Sequence, residues 1–323
     1  MIRRPAPLPK FDIMSHAKNA VWIHPVLFKT AGILILALVL YRVGPHNIWE
    51  SIRQLGLTGL LLALGCSLPH LACKSERWRQ LLAVSKVHIP ASYAFFTYLA
   101  GIAMGSFTPG RAGEFFRAWL PVRDFGSPFA VTLSSVIVDR LFDLAFLALV
   151  SCIAALFLLE LQWWLVFLPG GLAILYLFRH SIQRMLHFFY ERIPVPDNSR
   201  IQFLNATKNG LTHWPHMTLW TVVGYTFMNL QVYVMAVKMG VDIGFGELFL
   251  LFGLANTIAL LPVSVLGLGT REAALGTLFV TAGHQETQGV AIALSFFLFG
   301  SMPVVVTGAF WLLLHRTSTP QNK

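Results

Sequence analysis

Long apolar runs constrain this chain more than any other feature of its sequence. Residues 32–43, 141–159 and 304–314 consist almost entirely of apolar side chains, and such runs are typical of segments that fold within a bilayer. Charged residues make up only 12% of the chain, about half of the roughly 25% found in soluble proteins. The sequence therefore predicts an all-α polytopic membrane protein with a single integral membrane domain covering 1–323. No segment outside the apolar runs is long enough for a separate soluble enzyme.

The charge and cysteine content exclude several other classes of protein. The formal net charge is +10, but the basic residues lie mainly between the apolar segments. Cations at such positions set membrane orientation and meet anionic lipid headgroups, so we expect no nucleic-acid partner. Cys66, Cys73 and Cys152 lie in apolar segments without metal-ligand spacing, and we predict no metal site and no cofactor.

Two of the eight hydrophobic units are interrupted. The units are 27–43, 57–73, 91–127, 128–158, 162–178, 216–237, 247–286 and 288–314. The third and the seventh each contain a charged break rich in Pro and Gly. Proline removes a backbone donor and glycine weakens a helix, so we expect the chain to unwind at both breaks. A loop at the membrane surface and a re-entrant hairpin are the two alternatives for each break.

The distribution of basic residues favours the re-entrant hairpins. If both interrupted units return to their side of entry, 17 basic residues lie in the cytoplasm and three outside. The cytoplasmic set includes Lys74 and Arg77, counted as part of a connection. If the first hairpin crossed instead, the basic segment 179–215 would lie outside, against the positive-inside rule. We therefore predict about six transmembrane helices plus two re-entrant hairpins in the cell inner membrane, with both termini cytoplasmic.

This topology also predicts two inverted repeats. A cytoplasmic tail covers 1–26, the first repeat covers 57–158, a cytoplasmic connector covers 179–215, and the second repeat covers 216–314. The two hairpins then have opposite orientations and enter from opposite sides of the membrane. Inverted repeats whose broken helices meet near the midplane are typical of transporters, and the substrate site lies at the repeat interface.

Eight ionisable residues fall at membrane depth, where charges are costly and functional by default. The predicted substrate-binding residues are Arg111, Glu114, Arg117, Asp139, Arg140, Asp143, Arg271 and Glu272. The predicted hairpin-tip residues are Pro109, Gly110, Gly113, Pro262, Ser264, Gly267 and Gly269. Unwound tips present backbone N–H groups that attract phosphate. The charges either pair only to pin the hairpins in place, or partly face a cavity that meets an anionic lipid headgroup. No residue is assigned a catalytic role.

Two ordered motifs resemble the membrane region of the lysylphosphatidylglycerol synthases. The first is Pro109-Gly110-x-x-Gly113-Glu114-x-x-Arg117, followed by Ser134, Ser135 and Asp139-Arg140-x-x-Asp143. The second, Pro262-x-Ser264-x-x-Gly267-x-Gly269-x-x-Glu272, departs from the family pattern at Leu266-Gly267, where two glycines are common. The similarity covers about residues 30–315, and the family includes stand-alone, flippase-like proteins called UPF0104. It implies movement of a lipid with a charged or glycosylated headgroup between leaflets.

Together these features predict lipid transport by a flippase that moves a phospholipid or a lipid-linked headgroup through a charged midplane site. Two alternatives are open: an integral membrane transferase acting on a polyprenyl-phosphate or hopanoid-type lipid, and an accessory membrane subunit of a lipid-modifying synthase. Because the chain ends at Lys323, soon after its last apolar segment, we expect a transporter rather than an enzyme. The expected partner is an anionic membrane lipid; a soluble or membrane transferase partner and an oligomer are both compatible with the sequence.

Overall fold

The computed structural model describes residues 25–106, 108–158, 197–261, 264 and 267–317. These ranges are helical, without a strand, so the all-α class is confirmed for them. The hydrophobic unit at 162–178, the first part of the predicted connector, most of the predicted tail and the tip residue Pro262 lie outside the described residues.

Twelve α-helices, one 3-10 helix and one π-helical turn make up the described part of the chain. They are α1 (Pro25–Val43), α2 (Pro45–Gln54), α3 (Gly56–Val84), α4 (Ala91–Ser106), the 3-10 helix (Pro109–Ala118), α5 (Trp119–Phe125), α6 (Phe129–Leu158), α7 (Asp197–Thr212), α8 (Trp214–Lys238), α9 (Phe245–Ile258), α10 (Thr270–Thr281), α11 (Glu286–Ser295), the π turn (Phe296–Ser301) and α12 (Met302–Thr317).

Three helical stretches in the described ranges are long and apolar enough to cross a membrane. They are Gly56–Val84, Phe129–Leu158 and Glu286–His315, each 29 or 30 residues long. A bilayer core of about 30 Å needs roughly 20 helical residues, so each stretch suffices. Helices α1 and α2 meet at a bend of 87° and add a fourth candidate span if the two together count as one span. The protein is therefore an integral membrane protein with three to four candidate spans among the residues described.

The first break predicted from the sequence turns the chain back along α4. Gly113 lies against the backbone of Met104, and Gly101 lies against the side chain of Arg117. The 3-10 helix therefore runs antiparallel to α4, and the two form the first broken helix pair. A side chain at Gly113 would collide with the carbonyl oxygen of Met104, so this close approach of two backbones requires glycine.

The second break separates α9 from α10. Gly267 and Gly269 have φ angles of 73° and 84°, in a region that glycine adopts without the steric cost of a Cβ. Gly269 packs against the backbone of Gly32 in α1, and Gly267 lies beside Ala259 at the end of α9. Helix α1 therefore contacts the turn between α9 and α10, which together form the second broken helix pair.

The two halves of the protein pack in a reciprocal pattern. Helices α3 and α8 run antiparallel along each other, with Gly59 against Lys238 at one end and Arg77 bonded to Thr221 towards the other. Helix α4 packs on α12, and α9 packs on α6. The first arm of each broken pair therefore contacts the last long helix of the other half.

A large apolar cluster fixes the second broken pair. Phe252 of α9 and Phe279 of α10 are buried together with Met235 of α8 and Val290 of α11. Four helices thus share one packed core, and burying such large side chains contributes about 1.5–3 kcal/mol for each residue. The packing holds the arms of the pair in place on one side of the site described next.

Candidate functional site

A cavity of about 310 Å³ lies between the two broken helix pairs. Five of the eight predicted substrate-binding residues line it: Arg111, Glu114, Arg140, Asp143 and Arg271. Arg111 comes from the first broken pair and Arg271 from the second. The structure thus brings charged residues from both halves of the chain to one cavity.

Three of the predicted substrate-binding residues are buried away from the cavity wall. Arg117 donates from Nη2 to Oδ2 of Asp139 at 2.5 Å, and its guanidinium lies 4.4 Å from the ring centre of Tyr98. Glu272 accepts a hydrogen bond from the backbone N–H of Gly269 at 2.5 Å. These contacts are all with protein, so the structure gives Arg117, Asp139 and Glu272 positions that hold the fold.

The described hairpin-tip residues lie at the two breaks between helices. Ser264 Oγ and Thr270 Oγ1 are hydrogen-bonded at 2.8 Å, and the N–H of Gly269 already meets Glu272. Of the tip residues whose side-chain environment is described, Gly113, Ser264, Gly267 and Gly269, none lines the cavity. Pro109 and Gly110 begin the 3-10 helix. These described contacts favour side chains rather than tip amides as the groups that would hold a phosphate.

Two cations that we expected in a cytoplasmic connection are instead part of the buried site. Helix α3 continues to Val84 and carries Lys74 and Arg77 inward. Arg77 donates from Nε to Oδ1 of Asp139 at 2.7 Å and from Nη2 to Oδ1 of Asp143 at 2.9 Å. Lys74 Nζ donates to the same Asp143 oxygen at 2.5 Å. This corrects the charge count made from the sequence.

The signal for these two residues was present in the sequence. His70, Lys74 and Arg77 are spaced four and three apart, which places them on one face of a helix. The same face of α3 meets the face of α6 that carries Asp139 and Asp143, one turn apart. Pairing between two charged helix faces could have been inferred from this spacing.

Glu114 links the first broken pair to α6. Its carboxylate forms an ion pair with Arg140, and Arg111 lies 3.6 Å from its other oxygen. Arg140 also lies 3.6 Å from Asp143. Because Glu114 is shared, its charge only partly balances Arg111.

The described residues of this site carry more positive than negative charge. Six cations, Lys74, Arg77, Arg111, Arg117, Arg140 and Arg271, stand against four carboxylates, Glu114, Asp139, Asp143 and Glu272. Removing a charge from water costs several kcal/mol unless an opposite charge compensates it. An anion bound in the cavity would balance the excess.

The fold and the site define an integral membrane protein with a cationic cavity between two broken helix pairs. Residues 21–308 match the family described as the lysylphosphatidylglycerol synthase TM region, and the chain belongs to that family, as its motifs predicted. A UPF0104 membrane protein of Methanothermobacter thermautotrophicus is 25% identical over 293 residues, which cover 83% of this chain and 86% of that protein. No solved structure matches the chain significantly.

The buried pairing of Arg77 gives a test with a matched control on the same helix. Arg77→Ala leaves Asp139 and Asp143 less compensated, and we expect the free energy of unfolding to fall by about 3–5 kcal/mol. Arg79→Ala removes a solvent-facing pair with Glu76 and should cost below about 1 kcal/mol. Thermal or denaturant unfolding of the detergent-purified variants measures both. Equal stability of the two variants would contradict the buried network.

Proposed function

We propose that this protein is a flippase that moves a lipid with an anionic headgroup between the leaflets of the membrane. The observation that carries the proposal is the excess positive charge around a cavity that both Arg111 and Arg271 line. Family membership is consistent with a lipid-related role. A phosphate is the anionic group that a membrane lipid would bring to this depth.

Apolar side chains at the edge of the cavity favour a lipid over a soluble anion as the ligand. Phe115 of the 3-10 helix and Leu144 of α6 both line the cavity, and 41% and 40% of their surfaces are exposed. In a membrane, such exposed apolar side chains face acyl chains. A headgroup in the cavity could therefore stay attached to chains that extend past these two residues into the bilayer.

Arg111 and Arg271 are the residues we assign to the headgroup phosphate. The side chain of Arg111 is 38% exposed and held by one contact at 3.6 Å, so a ligand can compete for it. Arg271 is buried, with its guanidinium 5.1 Å from the ring centre of Phe296. Guanidinium groups bind phosphate with two parallel hydrogen bonds, and two arginines from opposite halves can hold one phosphate between them.

We further propose the membrane topology that such transport needs. About six segments cross the inner membrane, the two broken pairs are oppositely oriented re-entrant hairpins, and 57–158 and 216–314 are inverted repeats with both termini cytoplasmic. The antiparallel course of α3 and α8 and the reciprocal packing of α4 and α9 support this arrangement. Placing Lys74 and Arg77 in the membrane still leaves a large cytoplasmic excess of basic residues. Relative movement of the two repeats would expose the cavity to each side in turn.

Cysteine labelling tests the topology. Single cysteines at Ser199 and Asn47, in a variant lacking Cys66, Cys73 and Cys152, should react with a membrane-impermeant thiol reagent from opposite sides. Ser199 should react only after the cells are opened, and Asn47 should react in intact spheroplasts. Labelling of both sites from one side would remove the six-span topology and the inverted repeat.

Lipid redistribution in reconstituted vesicles tests the function. Arg111→Ala and Arg271→Ala should each lower the movement of a labelled anionic lipid at least about tenfold, because each removes a charged contact worth about 1.5–3 kcal/mol. Arg→Lys at either position should restore little, since lysine lacks the two-pronged geometry. Arg53→Ala, in the exposed part of α2, is the matched control. Wild-type flux in well-folded Arg111→Ala and Arg271→Ala proteins would contradict the mechanism.

A further inference from the structure

We infer that the cavity selects lipids whose headgroup carries hydroxyl groups and no amine, such as a polyol or sugar phosphodiester. This inference rests on the proposed function and specifies its substrate. It follows from a second, uncharged set of polar groups in the same cavity and from the pairing of every acidic group near it.

Two carboxamides supply the uncharged set. Gln231 of α8 and Asn256 of α9 both line the cavity. Gln231 is almost completely buried, and the side-chain nitrogen atoms of both residues have no hydrogen-bond partner among the described residues. A buried donor without a partner costs roughly 1–3 kcal/mol, so these groups are expected to meet a ligand. A carboxamide both donates and accepts, and a hydroxyl group complements it in either orientation.

His70 adds a further group to this set. Its Nδ1 lies 2.7 Å from the carbonyl oxygen of Gly224, and a carbonyl cannot donate, so Nδ1 carries the proton. In the neutral ring the other nitrogen, Nε2, is then an acceptor. His70 lines the cavity with Ser67 and Ser301. The site thus offers donors and acceptors without charge, which suits a group with several hydroxyls.

The described acidic residues near the cavity are all paired with groups of the protein. Asp143 accepts from both Lys74 and Arg77, and Glu114 is shared between Arg111 and Arg140. Asp139 and Glu272 do not line the cavity. Among the described residues, an ammonium headgroup would therefore find no unpaired carboxylate to bind and would be repelled by the excess cations. A lysyl lipid, which carries amines, is disfavoured for the same reason.

Three lipids that differ only in the headgroup alcohol test the inference. Phosphatidylethanol, phosphatidylglycerol and phosphatidylethanolamine share the phosphodiester; the second adds hydroxyls and the third an amine. Binding to the purified protein in phosphatidylcholine nanodiscs is measured by competition with a fluorescent phosphatidylglycerol. We expect phosphatidylglycerol to bind about tenfold tighter than phosphatidylethanol, and phosphatidylethanolamine at least about tenfold weaker than phosphatidylethanol.

Substitution of the carboxamides assigns the preference to this site. Gln231→Leu combined with Asn256→Leu should remove the difference in affinity between phosphatidylglycerol and phosphatidylethanol. Gln202→Leu, on the exposed surface of α7, is the matched control and should keep the difference.

The results separate this inference from the proposed function. Equal binding of phosphatidylglycerol and phosphatidylethanol to the wild-type protein, or tight binding of phosphatidylethanolamine, would overturn the inference and leave the anionic-lipid flippase intact. Absence of binding by both anionic lipids would overturn the proposed function itself. The affinities of the wild-type protein alone test the headgroup preference, so the test holds even if the double variant does not fold.

Discussion

The guanidinium of Arg77 joins three helices at the centre of this protein. From α3 it bonds to Asp139 and Asp143 of α6 and to Thr221 of α8. A buried cation of this kind is tolerated only because its hydrogen bonds and opposite charges are supplied in place. Asp139 also accepts from Arg117 of the 3-10 helix, so the first broken pair depends on the same carboxylate. The position of the cavity wall therefore follows from this pairing.

This network divides the charged residues into two groups. Arg77, Arg117 and Asp139 are bonded to one another and lie away from the cavity, whereas Arg111 and Arg271 face it. Asp139 and Asp143 pair with Arg77, Arg117 and Lys74, and Glu114 is shared between Arg111 and Arg140. The second group is consequently left with an excess of positive charge, which is what a cavity for an anion needs. In the proposed function, the same charges that are costly to bury would bind the anionic headgroup.

The sequence patterns predicted where the backbone turns better than they predicted which charged residues pair with each other. The glycines Gly113, Gly267 and Gly269 mark the breaks because backbone geometry is a local property that sequence reveals. The sequence predicted that Arg111 and Arg271 lie near one site only through the additional hypothesis of inverted repeats. Lys74 and Arg77 were missed because the hydropathy of α3 falls before the helix ends, and a count of charges does not distinguish a helix end from a loop. Which carboxylate meets which cation depends on tertiary packing between helices.

The central claim is that an anionic lipid fills the cavity and balances its charge. Mass spectrometry of lipids that remain bound to the purified protein tests this most directly. The account predicts that an anionic lipid stays bound to the wild-type protein in stoichiometric amount and is lost from a folded variant with Arg111→Ala and Arg271→Ala, in which Arg77 keeps its partners. Retention of the same lipid by that variant, or a wild-type protein carrying only zwitterionic lipids, would contradict it.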